Sequence, residues 1–167
     1  STTIVATDAN STPLMFSTND ATVSGFTLTH NYTNAELTAW NFNNNGVTFG
    51  QLTSGNTLEN SIVTLSRNGI YLNNSHDNVI ANNTITNNRT GINMTNDLQG
   101  TQITGNTISD NWTEGLVTYD SGIAINYSTI TVTGNTFDQN WYEEVTVKDT
   151  TISSGALDDT DNTFTVS

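Results

Sequence analysis

The chain repeats itself at a step of tens of residues, and a period of that length commits it to a stack of similar units. Ile103-Thr104-Gly105-Asn106-Thr107-Ile108 has counterparts in Ile80-Ala81-Asn82-Asn83-Thr84-Ile85 and Val132-Thr133-Gly134-Asn135-Thr136-Phe137. Each runs apolar, two small or polar residues, Asn, Thr, apolar. Val23-Ser24-Gly25-Phe26-Thr27-Leu28 keeps the frame with Phe in the Asn slot, Leu58-Glu59-Asn60-Ser61-Ile62 keeps it with one residue deleted, and a last copy ends in Asn162-Thr163-Phe164. The closing apolar residues fall at 28, 62, 85, 108, 137 and 164, giving steps of 34, 23, 23, 29 and 27.

A polar bend and a second alternating run follow the closing residue, as in Gly69-Ile70-Tyr71-Leu72, Gly91-Ile92-Asn93-Met94, Gly115-Leu116-Val117 and Val145-Thr146-Val147, with Ala35-Glu36-Leu37 in the first copy. Period-2 alternation bounded by Gly and Asn predicts short strands, and no window carries a helical stripe. Two or three strands per coil describe an all-β fold, a parallel β-helix (β-solenoid) of about six coils over residues 20–167, with 1–19 as an N-terminal cap or incoming segment. Asn, Thr and Ser make up 73 of the 167 residues, a bias that alone suggests disorder. Stacking answers it: coils that share one continuous core fold with only 34% hydrophobic residues.

Stacking also gives the Asn excess a use. Equivalent residues of neighbouring coils lie about 4.8 Å apart, so Asn60, Asn83, Asn106, Asn135 and Asn162 are expected as a hydrogen-bonded ladder at one bend. Asn31, Asn88, Asn111 and Asn140 form a second column, broken by Leu65. These Asn-Thr-Ile and Gly-Ile units resemble the right-handed parallel β-helix repeats of the pectin-lyase-like superfamily, in particular the carbohydrate-binding and sugar-hydrolase type shared with NosD-like periplasmic copper-maturation proteins. The resemblance spans about residues 20–166 and implies the fold. It leaves the function open, since the superfamily holds lyases, hydrolases, epimerases, adhesins and inert stalks.

Charge narrows the partners. Three Lys+Arg against sixteen Asp+Glu give -13, and the cations Arg67, Arg89 and Lys148 fall in different frames of the repeat as aligned. Nucleic acid and anionic lipid are excluded as default partners. The absence of Cys removes disulfides, thiolate metal sites and a Cys nucleophile. No stretch is apolar enough to insert in a membrane. The start at Ser1 reads as a mature or excised piece, and sequons stand at Asn10, Asn31, Asn73, Asn82, Asn88, Asn93, Asn111 and Asn126.

Hydrolysis of a glycan needs two carboxylates about 5 to 10 Å apart. Asp110 and Asp138 sit in nearly the same frame, and Glu114 recurs a coil later as Glu143 or Glu144. Solvated bends carry such residues routinely, so no residue is assigned as catalytic. Lyase chemistry wants a base and a cation together, which three scattered cations do not provide. His30 and His76 are expected at the surface, apart from each other.

Binding has the better signal. Tyr32, Trp112 and Trp141 follow a column Asn, and Arg89 holds the same slot, so an outward column would form an aromatic platform for sugar rings with a guanidinium against it. Trp40 and Tyr142 fall outside the slot. Thr27/Thr29, Thr84/Thr86 and Thr163/Thr165 place hydroxyls about 7 Å apart on one strand face, the kind of array ice-binding solenoids use. It degrades at Thr107/Ser109, Thr136/Asp138 and Ser61/Val63, where the β-propensity of Thr suffices. Asp158, Asp159 and Asp161 form an oxygen cluster suited to calcium, without the spacing of a known loop; no other cofactor is expected.

The expected function is therefore a non-enzymatic extracellular structural or adhesive β-solenoid of a cell surface, fibre or surface layer. Its partners would be further copies of itself, stacked end to end, or neighbouring domains of a larger surface protein. The alternatives are a carbohydrate-binding or carbohydrate-active β-helix and, lower, an ice-binding solenoid.

Overall fold

A computed structural model describes residues 1–8, 10–31, 44–96, 98–119, 130–148 and 162–165. Consecutive strands go in turn to three parallel sheets. The seven-stranded sheet holds β1 (Thr2–Ala6), β4 (Phe26–His30), β7 (Ile62–Thr64), β10 (Thr84–Thr86), β13 (Thr107–Ser109), β16 (Thr136–Asp138) and β18 (Thr163–Thr165). The six-stranded sheet holds β2 (Leu14–Phe16), β5 (Asn45–Phe49), β8 (Asn68–Asn73), β11 (Thr90–Thr95), β14 (Glu114–Tyr119) and β17 (Glu143–Lys148). The five-stranded sheet holds β3 (Thr22–Ser24), β6 (Thr57–Glu59), β9 (Val79–Ala81), β12 (Gln102–Thr104) and β15 (Thr131–Thr133). This is the expected β-solenoid. The first nineteen residues, expected as a cap or incoming segment, supply β1 and β2, which pair with β4 and β5 in the same sheets.

Between the terminal coils, the strands of each sheet point one apolar column inward. Leu28, Val63, Ile85, Ile108 and Phe137 stack under one sheet, Leu58, Ile80, Ile103 and Val132 under another, and Val47, Ile70, Ile92 and Leu116 under the third, all fully buried. A chain poor in apolar residues thus places one per strand where stacking removes it wholly from water.

Backbone sterics explain the rest of the Asn excess. One bend carries Gly25, Asn60, Asn82, Gly105 and Gly134, all at positive φ, and the next carries Leu65, Asn87, Asp110 and Gln139. Gly, Asn and Asp tolerate the left-handed conformation that a tight coil corner requires. Leu65 at φ 53 and Gln139 at φ 54 hold it as exceptions.

The corners correct the alignment of the second copy. No residue is deleted there: Leu58 pairs with Ile80 and Val63 with Ile85, so Val63 and not Ile62 closes the copy. Asn60 consequently leaves the ladder for the exposed left-handed corner, with φ 51. Ser61 takes its slot, its N–H donating to Asn83 Oδ1 at 3.0 Å. From there the ladder continues: Asn83 Nδ2 donates to Asn106 Oδ1 at 3.1 Å, Asn106 to Asn135 at 3.0 Å and Asn135 to Asn162 at 3.0 Å.

The second ladder is Ser66, Asn88, Asn111 and Asn140, with amide-to-amide bonds of 3.2 Å between Asn88 and Asn111 and 2.7 Å between Asn111 and Asn140. Ser66 continues it, and Leu65 turns the corner beside it. At the other end both the N–H and the side-chain amide of Asn140 donate to the Glu144 carboxylate, which stands where the next Asn would.

Asn31, expected in this column, is exposed, and the buried ring of His30 lies there instead. His30 is therefore not a surface residue. Its Nε2 donates to the Ser11 carbonyl at 2.8 Å and its Nδ1 accepts from the Ser66 hydroxyl at 2.9 Å. Burial holds its pKa below the usual 6.5, against the raising influence of the Ser11 and Leu65 carbonyls. The unfolded chain then takes up the proton first, so the stability from a neutral His30 is complete above the unfolded value and lost as pH falls toward the folded one. Denaturant midpoints should drop as pH falls through and below 6.5, and His30→Gln should remove that part of the drop. An identical decline in wild type and variant would show that His30 is not its source.

Candidate functional site

The site follows from the second ladder. Each ladder residue is locked inward by the hydrogen bonds of its own side chain, and the residue after it stands at the corner between the seven- and six-stranded sheets. Arg67 follows Ser66, Arg89 follows Asn88, Trp112 follows Asn111 and Trp141 follows Asn140. Backbone bonds hold the register: Arg89 N–H donates to Ser66 O, Trp112 to Asn88 O and Trp141 to Asn111 O, each at 2.9 Å. The result is a column of two Arg and two Trp positions on four successive coils, their backbones about 4.8 Å apart along the axis.

Three of the expected binding residues, Arg89, Trp112 and Trp141, thus come together. Tyr32 lies outside the described residues, as do Trp40 and the calcium candidates Asp158, Asp159 and Asp161. Arg67 is the member that the sequence alignment missed, because the assumed deletion moved it out of frame. The pair Ser66-Arg67 beside Asn88-Arg89 was the signal that could have found it.

Trp112 and Trp141 meet edge to face, not stacked, with ring centroids 5.7 Å apart and planes at 77°. Trp141 is 75% exposed and Trp112 half-buried, so one indole props the other. They border a groove of about 240 Å³, lined also by Asn87, Asp110, Asn111 and Gln139. Beyond Trp141 a second recess of about 470 Å³ is lined by Tyr142, Glu143, Glu144 and Phe164, among others. Arg89 is half-buried, and its pKa is lowered by that burial and then by the charge of Arg67, with Glu114 acting in the opposite direction.

The carboxylates are mostly occupied. Asp110 sits on the left-handed corner and accepts from the Thr86 hydroxyl at 3.4 Å. Asp138 is one position earlier in the coil, on β16 in register with Ser109, so the two are not equivalent. Glu144 closes the ladder, and Glu143 accepts from the Thr146 hydroxyl. Glu114 and Glu143 do stand in register on β14 and β17.

The corrected register also makes the Thr face more regular than expected. Thr3, Thr27, Ile62, Thr84, Thr107, Thr136 and Thr163 form one outward column of the seven-stranded sheet, and Val5, Thr29, Thr64, Thr86, Ser109, Asp138 and Thr165 the other. Ile62, Val5 and Asp138 interrupt the hydroxyls.

Three parallel sheets, two internal asparagine ladders and left-handed polar corners define a right-handed parallel β-helix. More narrowly, the chain belongs to the NosD family: the model described as periplasmic copper-binding protein (NosD) matches residues 3–164. The chain is similar in fold to the A-module of the mannuronan C-5 epimerase AlgE6 of Azotobacter vinelandii, with a TM-score of 0.54 and 16% identity over 92% of this chain and 48% of that one. It therefore spans about half of that structure. No curated protein matches it.

The family description names copper, and the described residues do not suit that metal. Copper selects Cys, Met and His donors. The chain has no Cys, two His and two Met. His30 is buried with both ring nitrogens engaged, exposed His76 bonds Asp77 at 2.9 Å, Met94 is in the core and Met15 lies exposed on β2. No group of three or more His, Cys, Asp or Glu able to hold a metal occurs among the described residues.

Proposed function

We propose that this chain is a non-catalytic β-helix module outside the cytoplasm that adheres to a glycan along the Arg67, Arg89, Trp112 and Trp141 column. The observation that carries the reading is that column itself, in register on four coils, with its two indoles bordering a groove. Indole faces pack against the C–H faces of sugar rings, and guanidiniums donate to hydroxyl and acidic oxygens. A coil repeat of about 4.8 Å is close to the length of one sugar unit, so a polymer laid along the axis meets one side chain per unit.

The periplasmic description of the family supports a place outside the cytoplasm. Mannuronan, the polysaccharide after which the epimerase is called, supports the glycan, though that likeness is one of fold. The engagement of Asp110, Glu143 and Glu144 in holding corners and ladder supports adhesion over catalysis.

Affinity electrophoresis or a glycan array checks this. Wild type should be retained by at least one polysaccharide, and Trp141→Ala, which removes an exposed ring, should weaken retention about tenfold with the fold intact. Retention by none, or equal retention of the variant, would end the glycan reading. Shortened products after incubation would end the non-catalytic part and point to Glu114 and Glu143.

A further inference from the structure

Resting on that glycan reading, the two hollows that flank the Trp141 ring fix the class of glycan. The first runs over three coils, from Asn87 past Asp110 and Trp112 to Gln139 and Trp141. The second holds Tyr142, Glu143, Glu144 and Phe164. Neither is lined by Lys or Arg, and the chain as a whole carries -13. Arg67, Arg89 and Glu114 are engaged within the protein, the charge of Glu114 acting on Arg89. An acid on the ligand therefore meets carboxylates at the indoles: Asp110 in one hollow, Glu143 and Glu144 in the other. Over the length of one sugar unit that repulsion is only partly screened, since the Debye length is about 10 Å at about 0.1 M salt.

The same groups suit hydroxyls. Asp110 Oδ2 accepts from Thr86 at the long distance of 3.4 Å, and among the described residues its Oδ1 has no partner. The Asn87 Oδ1 and the Gln139 amide are open in the same way, Asn87 Nδ2 donating to the Thr86 hydroxyl at 3.2 Å. A carboxylate accepts from two neighbouring sugar hydroxyls at once, and the Gln139 amide both donates and accepts. The indoles add a shape. With their planes at 77°, no flat surface lies on both rings, whereas one flexible strand packs successive sugars on one and then the other.

We infer that the site takes a single strand of a neutral, hydroxyl-rich glycan and rejects polyuronates, with Asp110 as the residue that sets this preference.

The test uses the whole chain in isothermal titration at low and high salt, with two matched pairs of probes. One is a β-linked manno-oligomer and a β-linked mannuronate oligomer of equal length; the other is the corresponding gluco-oligomer and glucuronate oligomer. Within a pair only the group at the sixth carbon differs, a neutral alcohol or a carboxylate. The neutral member of at least one pair should bind about tenfold tighter than its uronate at low salt, and the gap should narrow as salt rises. Asp110→Asn should cut that gap about threefold. Asn already turns the equivalent left-handed corner at Asn87, so the backbone accepts the change. Powdered crystalline cellulose should bring down no more wild type than Trp141→Ala. Uronates that bind as tightly as their neutral partners, an unchanged gap in a folded Asp110→Asn, or cellulose that captures wild type alone overturns the inference and leaves the glycan reading standing. Binding of no oligomer and no cellulose overturns both. The paired comparison is made on wild type, so it holds even if a variant fails to fold.

Discussion

Replacing Asn106 with Ala should lower the stability of this β-helix by about 4 kcal/mol, a large part of the roughly 5–15 kcal/mol typical of a folded domain. The side chain serves three coils at once. Its Oδ1 accepts from the N–H of Asn83 at 2.9 Å and from the Asn83 amide at 3.1 Å, while its Nδ2 donates to the Ile80 carbonyl at 2.9 Å and to Asn135 Oδ1 at 3.0 Å. Asn106 is 1% exposed, so water does not replace these bonds and each orphaned group keeps its desolvation cost of about 1–3 kcal/mol. Asn60→Gly supplies the contrast: this exposed residue turns a left-handed corner where Gly25, Gly105 and Gly134 stand in other coils, so the change should cost under about 1 kcal/mol. Urea denaturation of both variants measures the difference. Equal losses would mean that the ladder does not run through Ser61, Asn83 and Asn106.

The pairing of Asn60 with Asn106 marks where reading the sequence succeeded and where it slipped. Fold class was legible because the spacing of Ile85, Ile108 and Phe137 reports the inward side chain of each coil directly, and the structure buries all three at 0% exposure. The ladder was legible wherever an Asn preceded Thr-apolar. It slipped in the second copy because Asn at the left-handed corner and Asn in the ladder are neighbours in sequence serving unrelated physics, one steric and one hydrogen-bonding. With Ser61 in the ladder slot, letter matching chose the wrong Asn. That single shift hid Arg67 from the column and made the Thr face look ragged. His30 escaped for a different reason: a buried His in place of a ladder Asn depends on partners from Ser11 and Ser66, which no local pattern reveals. Glu144 likewise reads as a surface carboxylate until its chelation of Asn140 is seen.

The second large effect is expected at Gly91. Gly46, Gly69, Gly91 and Gly115 stack on successive strands of the six-stranded sheet, and a Cβ at Gly91 would sit 2.3 Å from the Gly115 carbonyl oxygen. That oxygen belongs to the backbone of β14 and cannot swing away. The same Cβ would press the Asn111 amide at 3.0 Å, and that amide is itself a ladder member. Relief requires β11 and β14 to part, so Gly91→Ala should cost about 3 kcal/mol or more. Gly134→Ala is the control. It has positive φ, +66, but no atom nearer than 3.7 Å to the added carbon, so only the left-handed penalty of about 1–2 kcal/mol applies. Because a solenoid couples each coil to its neighbours, hydrogen exchange should quicken in β11 and β14 for Gly91→Ala and near β15 for Gly134→Ala. The position of Gly91 also ties packing to binding. Arg89 lies two residues before it and Trp112 three before Gly115, so the close backbone approach that excludes a Cβ also sets the distance from guanidinium to indole. Glycan retention should therefore fall more in Gly91→Ala than in Gly134→Ala when both are compared well below their unfolding temperatures, and equal retention would show that the column tolerates a change in coil spacing.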